Sequence, residues 1–279
     1  MGSLMTLDVS DADRDVHVCL TDDEGRDSHL LVTVGGDLVI DAAPSSAPTP
    51  HDGALTVSHD ANGTALRLRV EPSADGPELP ERPSWVGRAS GSLTAPGIDL
   101  PIEGLALVTE GPSAAPDAPL SRTLTAIGPN AALVLTAEAT PGSEGHETER
   151  SLAAALVGAG PSDPESRVLL STHYAGDGTP LRATLELEPP YPDDEPEDSD
   201  EPDTGEGELP DMADDELRPT LDDEDLADPG PELLGVRAAG ERLAGRVRRH
   251  DGHIVHTAVF RWSVQGRPAA GRYELRQRA

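Results

Sequence analysis

The chain contains no lysine, one cysteine, one phenylalanine and two tryptophans. A single cysteine, Cys19, cannot form a disulfide within the chain, so no covalent cross-link stabilises the fold. Aromatic residues make up only 2% of the sequence, although aromatic side chains dominate the core energy of most domains. The core must therefore consist mainly of Val, Leu and Ala, and we expect modest stability for a chain of 279 residues.

The chain also lacks an excess of positive charge and long apolar runs. The formal net charge is −31, whereas nucleic acids and anionic membranes bind surfaces rich in Lys and Arg. No apolar run approaches the roughly 18 residues of a membrane helix, and no signal-peptide pattern opens the chain. We therefore expect no nucleic-acid partner, no membrane insertion and a cytoplasmic location.

Short motifs of several enzyme classes are absent as well. No serine lies in a Gly-x-Ser-x-Gly elbow, and there is no phosphate-binding loop. Asp198 and Asp200 match the first two ligand positions of an EF-hand calcium loop, but Pro202 occupies the third ligand position and the residue after it is not glycine. We therefore predict no catalytic residue, no metal and no cofactor.

Most of the negative charge lies in one segment. Residues Asp193 to Glu232 contain 20 acidic residues and one arginine, a net charge of −19, while the rest of the chain carries −12. This segment is rich in proline and poor in apolar residues, so it cannot bury enough surface to offset the entropy of ordering. We predict a disordered acidic linker over residues 191–232, which either solubilises the protein or recruits a basic partner.

The remaining segments alternate between apolar and polar residues, as half-buried β-strands do. Glycine-rich turn signals separate them, for example Gly35-Gly36, Pro96-Gly97 and Gly176-Asp177-Gly178. One segment is ambiguous: Glu147 to Val157 has helical spacing, while a strand over Ser151 to Val157 fits almost as well. About a dozen short strands joined by hairpins predict an antiparallel sandwich or barrel.

The C-terminal stretch carries the clearest hairpin signals. Its alternating runs are separated at Gly240-Glu241, Asp251-Gly252 and Gly266-Arg267-Pro268, and Asp-Gly between such runs is typical of a tight hairpin. We predict a β-meander over residues 233–279 that completes a barrel begun by residues 14–190. Residues 1–13 are predicted to form a flexible N-terminus.

Three stretches resemble a known group of proteins. They are Gly87 to Val108, Leu170 to Leu187 and Ala258 to Arg276. Their order and spacing resemble bacterial lipocalin-like proteins related to the hydroxyneurosporene-synthase and tocopherol-cyclase families, which have paired β-barrel halves around an apolar cavity. The resemblance implies an all-β, antiparallel meander barrel of lipocalin-like type, as one barrel or two halves, with the acidic disordered segment as an insertion.

Three histidines, His250, His253 and His256, recur at every third position. On a helix this spacing would gather metal ligands, but Asp251-Gly252 indicates a turn. His253 and His256 would then lie on opposite faces of one strand. We therefore expect turn or surface histidines rather than a metal site.

His256 shares its predicted strand face with Phe260 and Trp262. If that face points into a barrel, His256 is a polar group in an apolar cavity, as in a binding pocket. The alternative is a core histidine bonded to a backbone carbonyl. His256, Phe260 and Trp262 are therefore the candidate ligand-binding residues.

A second pairing, His17 with Cys19, shares a strand face. A Cys–His nucleophile also needs direct contact and an orienting group, and two residues on one strand face are commonly adjacent by chance. We therefore expect no catalysis here.

The leading functional hypothesis is binding of a small apolar molecule, isoprenoid- or polyketide-like, inside the barrel. The second is a hydratase or cyclase acting on an isoprenoid-like substrate, with His256 as proton donor. Trp85 and Trp262 are not followed by glycine, unlike in the Trp-Gly-rich signature of the enzymatic relatives, so we expect a binding protein rather than an enzyme. The third is an interaction protein whose acidic segment recruits a basic partner.

Overall fold

The computed structural model describes residues 3–23, 27–51, 53–112, 114–115, 117–142, 146, 148–158, 160–162, 166–189 and 235–279. These residues form 18 β-strands and no helix, so none of them form a helix able to cross a membrane. The predicted acidic linker over residues 191–232 lies outside the described residues.

The first nine strands build one antiparallel sheet from the N-terminal half of the chain. They are β1 Ser3–Asp11, β2 Val16–Asp23, β3 Asp27–Val34, β4 Asp37–Ala42, β5 Thr49–His51, β6 Ala54–Ala61, β7 Thr64–Asp75, β8 Ser84–Ala95 and β9 Ile98–Pro112. Their order in the sheet is β4-β3-β2-β1-β9-β8-β7-β6-β5. The first and last long strands of this half therefore pair at its centre.

The other nine strands build a second antiparallel sheet. They are β10 Leu120–Gly128, β11 Ala131–Ala139, β12 Glu149–Val157, β13 Gly160–Pro161, β14 Arg167–Tyr174, β15 Pro180–Glu188, β16 Val236–His250, β17 His253–Val264 and β18 Arg267–Arg278. Their order, β13-β12-β11-β10-β18-β17-β16-β15-β14, repeats that of the first sheet with every number raised by nine. The two halves of the chain therefore have the same topology.

Each sheet curls around an apolar core of its own. Alternate residues point inward, such as Leu66, Leu68 and Val70 on β7 and Phe260, Trp262 on β17. Within the described residues, the outermost strands β4 and β5 do not pair with each other, nor do β13 and β14. The fold is therefore two open half-barrels, which confirms the all-β meander prediction in its two-half form.

A buried polar pair joins the half-barrels. Asp8 on β1 and Arg272 on β18 have side chains that are each 1% exposed, with Asp8 Oδ2 3.0 Å from Arg272 Nη2. Arg272 Nη1 also donates to the backbone oxygen of Leu20 at 3.3 Å. The prediction of a flexible N-terminus over residues 1–13 is wrong for Ser3–Asp11, because this segment is a strand between β2 and β9 at the centre of the first sheet.

The C-terminal meander differs from the prediction at two turns, and the second of them lies at Gln265-Gly266 rather than at Gly266-Arg267-Pro268. β16 continues through Gly240-Glu241, because both residues pair with β15 on one side and with β17 on the other. The Trp262 ring lies over Gly240, where a Cβ atom would overlap it. Chain reversals occur at Asp251-Gly252, with φ of 47° and 74°, and at Gln265-Gly266, with φ of 50° and 74°. Glycine and aspartate tolerate such left-handed conformations, so the Asp-Gly turn is confirmed.

The ambiguous segment near residue 150 is a strand. β12 pairs with β11 over its whole length, from Ala139 opposite Glu149 to Ala131 opposite Val157. Its alternate residues Ala153 and Ala155 enter the core of the second half-barrel. Pairing with β11 therefore outweighs the helical propensity of this alanine-rich run.

Candidate functional site

A cavity of about 1030 Å³ opens in the second half-barrel. Its apolar wall comes from Val168, Leu170, Leu185 and Ala238, which belong to the core of this half or pack against it. Polar residues complete the lining, among them Arg122, His146, Glu149 and Ser151. The cavity therefore combines an apolar wall with a small group of charged side chains.

The charged group is a buried ion pair. Arg122 Nη2 on β10 contacts Glu149 Oε2 on β12, and the two side chains are only 7% and 4% exposed. Arg122 lies two residues from Leu120 and two residues from Leu124, which are both core residues. It therefore shares their inner face of the strand. Arg122 Nη1 also donates to Thr172 Oγ1 at 3.5 Å. The strand pattern thus places a cation and an anion inside the half-barrel.

His146 extends this pair toward the mouth of the cavity. Its Nδ1 lies 3.1 Å from Glu149 Oε1, and its side chain is 45% exposed. The ring stacks on Tyr174 with centroids 5.9 Å apart. Burial, and then the charge of Arg122, lower the pKa of His146 below its usual value of 6.5. The imidazole is therefore mostly neutral near pH 7 and can accept a proton.

An aromatic stack continues from the polar group into the core. The hydroxyl of Tyr273 lies 2.8 Å from Thr172 Oγ1, and its ring stacks on Phe260, which stacks on Trp262. Burial, and then the neighbouring Tyr174, raise the pKa of Tyr273. Tyr273 therefore remains protonated at all ordinary pH values.

Phe260 and Trp262 lie in the packed core. They are 0% and 2% exposed and are not among the residues that line the cavity. The Nε1 atom of Trp262 has no hydrogen-bond partner among the described residues. Their contact with the site runs through Tyr273, and their role in ligand binding stays a prediction.

His256 is also buried, at 2% exposure. Its ring nitrogens lie 3.4 Å from Thr179 Oγ1 and 3.4 Å from Gln277 Nε2, and burial lowers its pKa. His256 does not line the cavity described above. These partners are side chains rather than the predicted backbone carbonyl, and its ligand-binding role stays a prediction.

The other residues singled out in the sequence, His253, Cys19 and His17, do not come together in one site. His253, expected at the surface, is 4% exposed, with Nδ1 2.9 Å from the carbonyl oxygen of Asp251. No group of three or more His, Cys, Asp or Glu side chains in the described part of the chain could hold a metal ion.

Cys19 packs between the half-barrels, where burial raises its pKa well above the usual value, while His17 pairs with Asp15 at 3.1 Å.

Sequence reasoning missed the residues of the ion pair and its neighbours. Arg122, Glu149, Thr172 and Tyr273 lie on four different strands, so no sequence spacing brings them together. One signal was available: Arg122 interrupts the inward-facing series of Leu120, Leu124 and Ala126. A charged residue on the apolar face of a strand indicates a functional site or a buried pair.

Solved structures of other proteins share the fold. An AttH-like protein of Nitrosomonas europaea matches with a TM-score of 0.53 at 13% identity, over 98% of this chain and 91% of that chain. CghA, solved with Sch210972, matches with a TM-score of 0.51 at 11% identity, over 99% of this chain and 86% of that chain. Kievitone hydratase from Nectria haematococca gives only 0.46 at 12% identity, over 99% and 87%, a score too low to support an inference.

At these identities the likeness shows the fold alone, a lipocalin-like pair of half-barrels. It does not show that the chain belongs to the hydroxyneurosporene-synthase or tocopherol-cyclase families. No protein-family model and no curated protein matches the chain.

Proposed function

We propose that the chain binds a small, largely apolar molecule in the cavity of its second half-barrel and catalyses proton transfer on it, as a hydratase or cyclase does. The observation that carries this proposal is the buried Arg122–Glu149 pair, which is joined to His146 and lines the cavity. Charged residues are rarely buried unless they are paired, and buried titratable groups in a cleft are typical of active sites.

The cavity suits an organic ligand. Small-molecule sites usually measure about 300–1,000 Å³, with mostly apolar walls and a few placed polar groups. Val168, Leu170, Leu185 and Ala238 supply the apolar surface for such a ligand, and the group around Glu149 supplies the polar contacts. An isoprenoid- or polyketide-like molecule has the apolar surface that such a wall would cover.

The polar group has the parts of an acid–base pair. Neutral His146 can accept a proton and return it, and Glu149 fixes the orientation of its ring through Nδ1. Arg122 holds the Glu149 carboxylate in place and balances its charge. In a hydration, neutral His146 would take a proton from water as the water oxygen bonds to one carbon of the double bond, and would return that proton to the other carbon. In a cyclisation, it would take a proton from one carbon of the substrate and return it to another as the ring-forming bond closes.

Binding without turnover is the second candidate, because the apolar wall alone is sufficient for it. The third hypothesis, a basic partner for the acidic segment, concerns residues outside the described part of the chain and stays a prediction.

Titration with the neutral apolar dye Nile red tests the binding step. We expect one dye molecule per chain, and we expect Leu170→Arg to weaken binding more than tenfold because it places a charge on the apolar wall. Leu38→Arg is the matched control, since Leu38 is 38% exposed on the other half-barrel. No dye binding by the native protein, or equal binding by both variants, contradicts the proposal.

The catalytic step is tested with a panel of isoprenoid- and polyketide-like alkenes. Mass spectrometry detects the mass of added water for a hydratase, or a new isomer of unchanged mass for a cyclase. Glu149→Gln keeps the shape of the side chain and should lower the rate at least about a hundredfold, with Nile red affinity nearly unchanged. Unaltered turnover in this variant contradicts the acid–base assignment and leaves the binding step standing.

A further inference from the structure

Ser151 places a hydroxyl group on the wall of the cavity, beside the acid–base pair. It lies two positions after Glu149 on β12, so both side chains occupy the inner face of that strand. Ser151 lines the cavity and is half-buried, so a ligand atom can reach it. Arg122 and Glu149 bind each other, whereas the Ser151 side chain makes no hydrogen bond with any residue that the structure describes. The hydroxyl is therefore available to a ligand.

The inward-facing neighbours of Ser151 offer it no hydrogen bond. Ala153 follows it on the same face of β12, and Ala137 lies directly opposite on β11; both belong to the core of this half-barrel. Water can satisfy the hydroxyl while the cavity is open to solvent. A pure hydrocarbon ligand would displace that water and leave the hydroxyl without a partner, which is unfavourable, whereas a ligand oxygen at this point would restore the bond. A site of this kind rejects ligands that lack the matching polar group.

We propose, resting on the function proposed above, that Ser151 selects ligands that carry a hydroxyl group close to the reacting double bond. Ser151 and Glu149 are two residues apart on one strand, a distance of about 7 Å. A ligand group bonded to Ser151 therefore lies only a few covalent bonds from the atom that exchanges a proton with His146.

The polar lining favours a hydroxyl group over other oxygen groups. Glu149 and neutral His146 border the same cavity and are hydrogen-bond acceptors. A hydroxyl can donate to one of them while it accepts from Ser151, whereas a carbonyl oxygen only accepts. The net charge of −31 disfavours a carboxylate.

Two matched ligands test this inference by displacement of Nile red. They are geraniol and 2,6-dimethylocta-2,6-diene, which share one isoprenoid skeleton with two double bonds and differ only in the hydroxyl group. We expect Ser151→Ala to lower the ratio of geraniol affinity to hydrocarbon affinity about three- to tenfold, the effect of one hydrogen bond. The affinity for the hydrocarbon should stay the same or rise, because the hydroxyl that it leaves without a partner is gone.

Ser92→Ala is the matched control, since Ser92 is exposed on β8 of the other half-barrel, and it should keep the wild-type ratio. Ser151→Ala should unfold at the same temperature as the wild type, because the group it removes makes no hydrogen bond within the described chain. An unchanged ratio in Ser151→Ala, or binding of Nile red without any binding of geraniol, overturns the inference and leaves the proposed function intact. If neither the dye nor the two ligands bind, the proposed function falls and the inference falls with it.

Discussion

Removing the Asp8 carboxylate should be the most damaging single change at the junction of the half-barrels. Its Oδ2 accepts hydrogen bonds from Arg272 Nη2 at 3.0 Å and from Thr125 Oγ1 at 2.7 Å. Both charged side chains are 1% exposed. In Asp8→Ala the guanidinium group of Arg272 stays buried between the two sheets and loses its counter-charge.

The size of the effect follows from this burial. Removing one partner of a buried ion pair costs about 3–5 kcal/mol, because the remaining charge is still desolvated. Replacing both partners by apolar residues of similar volume is often neutral or stabilising. We therefore expect Asp8→Ala to lose about 3–5 kcal/mol, and the double variant Asp8→Leu with Arg272→Met to unfold within about 1 kcal/mol of the wild type.

Urea unfolding followed by far-UV circular dichroism measures both values. Asp37→Ala is a matched control, since Asp37 is exposed on β4 and such surface changes alter stability by about 0.5 kcal/mol or less. A loss below about 1 kcal/mol for Asp8→Ala is the value of an exposed pair. That result would refute the buried junction between the half-barrels.

Three further predictions follow from burial. Trp262→Ala should lower the free energy of unfolding by about 3–5 kcal/mol, because the ring is buried in a packed core; a loss under about 1 kcal/mol would show that the ring is not packed. Burial lowers the pKa of His17 and His29 below 6.5, so the unfolded chain binds protons that the native state does not. Stability should therefore be constant above pH 6.5 and decrease as the pH falls through the native pKa values, and equal urea midpoints at pH 7 and pH 5 would contradict this. Cys19 has a raised pKa and is buried, so a thiol reagent should label it only after unfolding; rapid labelling of the native protein would place it at the surface.

Local chemistry was sufficient to predict most of the strands. The Asp251-Gly252 turn is readable because both residues tolerate positive φ, and β7 is readable because Leu66, Leu68 and Val70 alternate with polar residues. These signals act over a few residues, so tertiary contacts do not override them. The all-β class and the meander could therefore be predicted from the sequence.

Contacts distant in sequence account for the errors in the fold. Residues 1–13 were predicted to be flexible because the partner of Asp8 is Arg272, 264 residues later in the sequence. Gly240 resembles a turn residue, but it is a glycine because Trp262 lies against it from the next strand. The strand at Ser3–Asp11 and the glycine at position 240 each depend on a contact with a residue that sequence spacing does not identify.

The candidate site was predicted less well than the fold for a related reason. Three histidines at regular spacing suggested a site, whereas Glu149 lies in the segment Glu147 to Val157 that resembled a helix, and His146 lies just before it. Arg122 joins them only through the pairing of β10 with β11 and of β11 with β12. A site assembled across strands has no motif, and only the inward-facing charge of Arg122 indicates it beforehand.

The most direct test of the central claim is a crystal structure of the protein with Nile red. We predict that the dye lies against Leu170 and Leu185 in the second half-barrel. A ligand bound outside the second half-barrel, or an empty cavity at saturating ligand, would contradict the assignment of this cavity as the functional site.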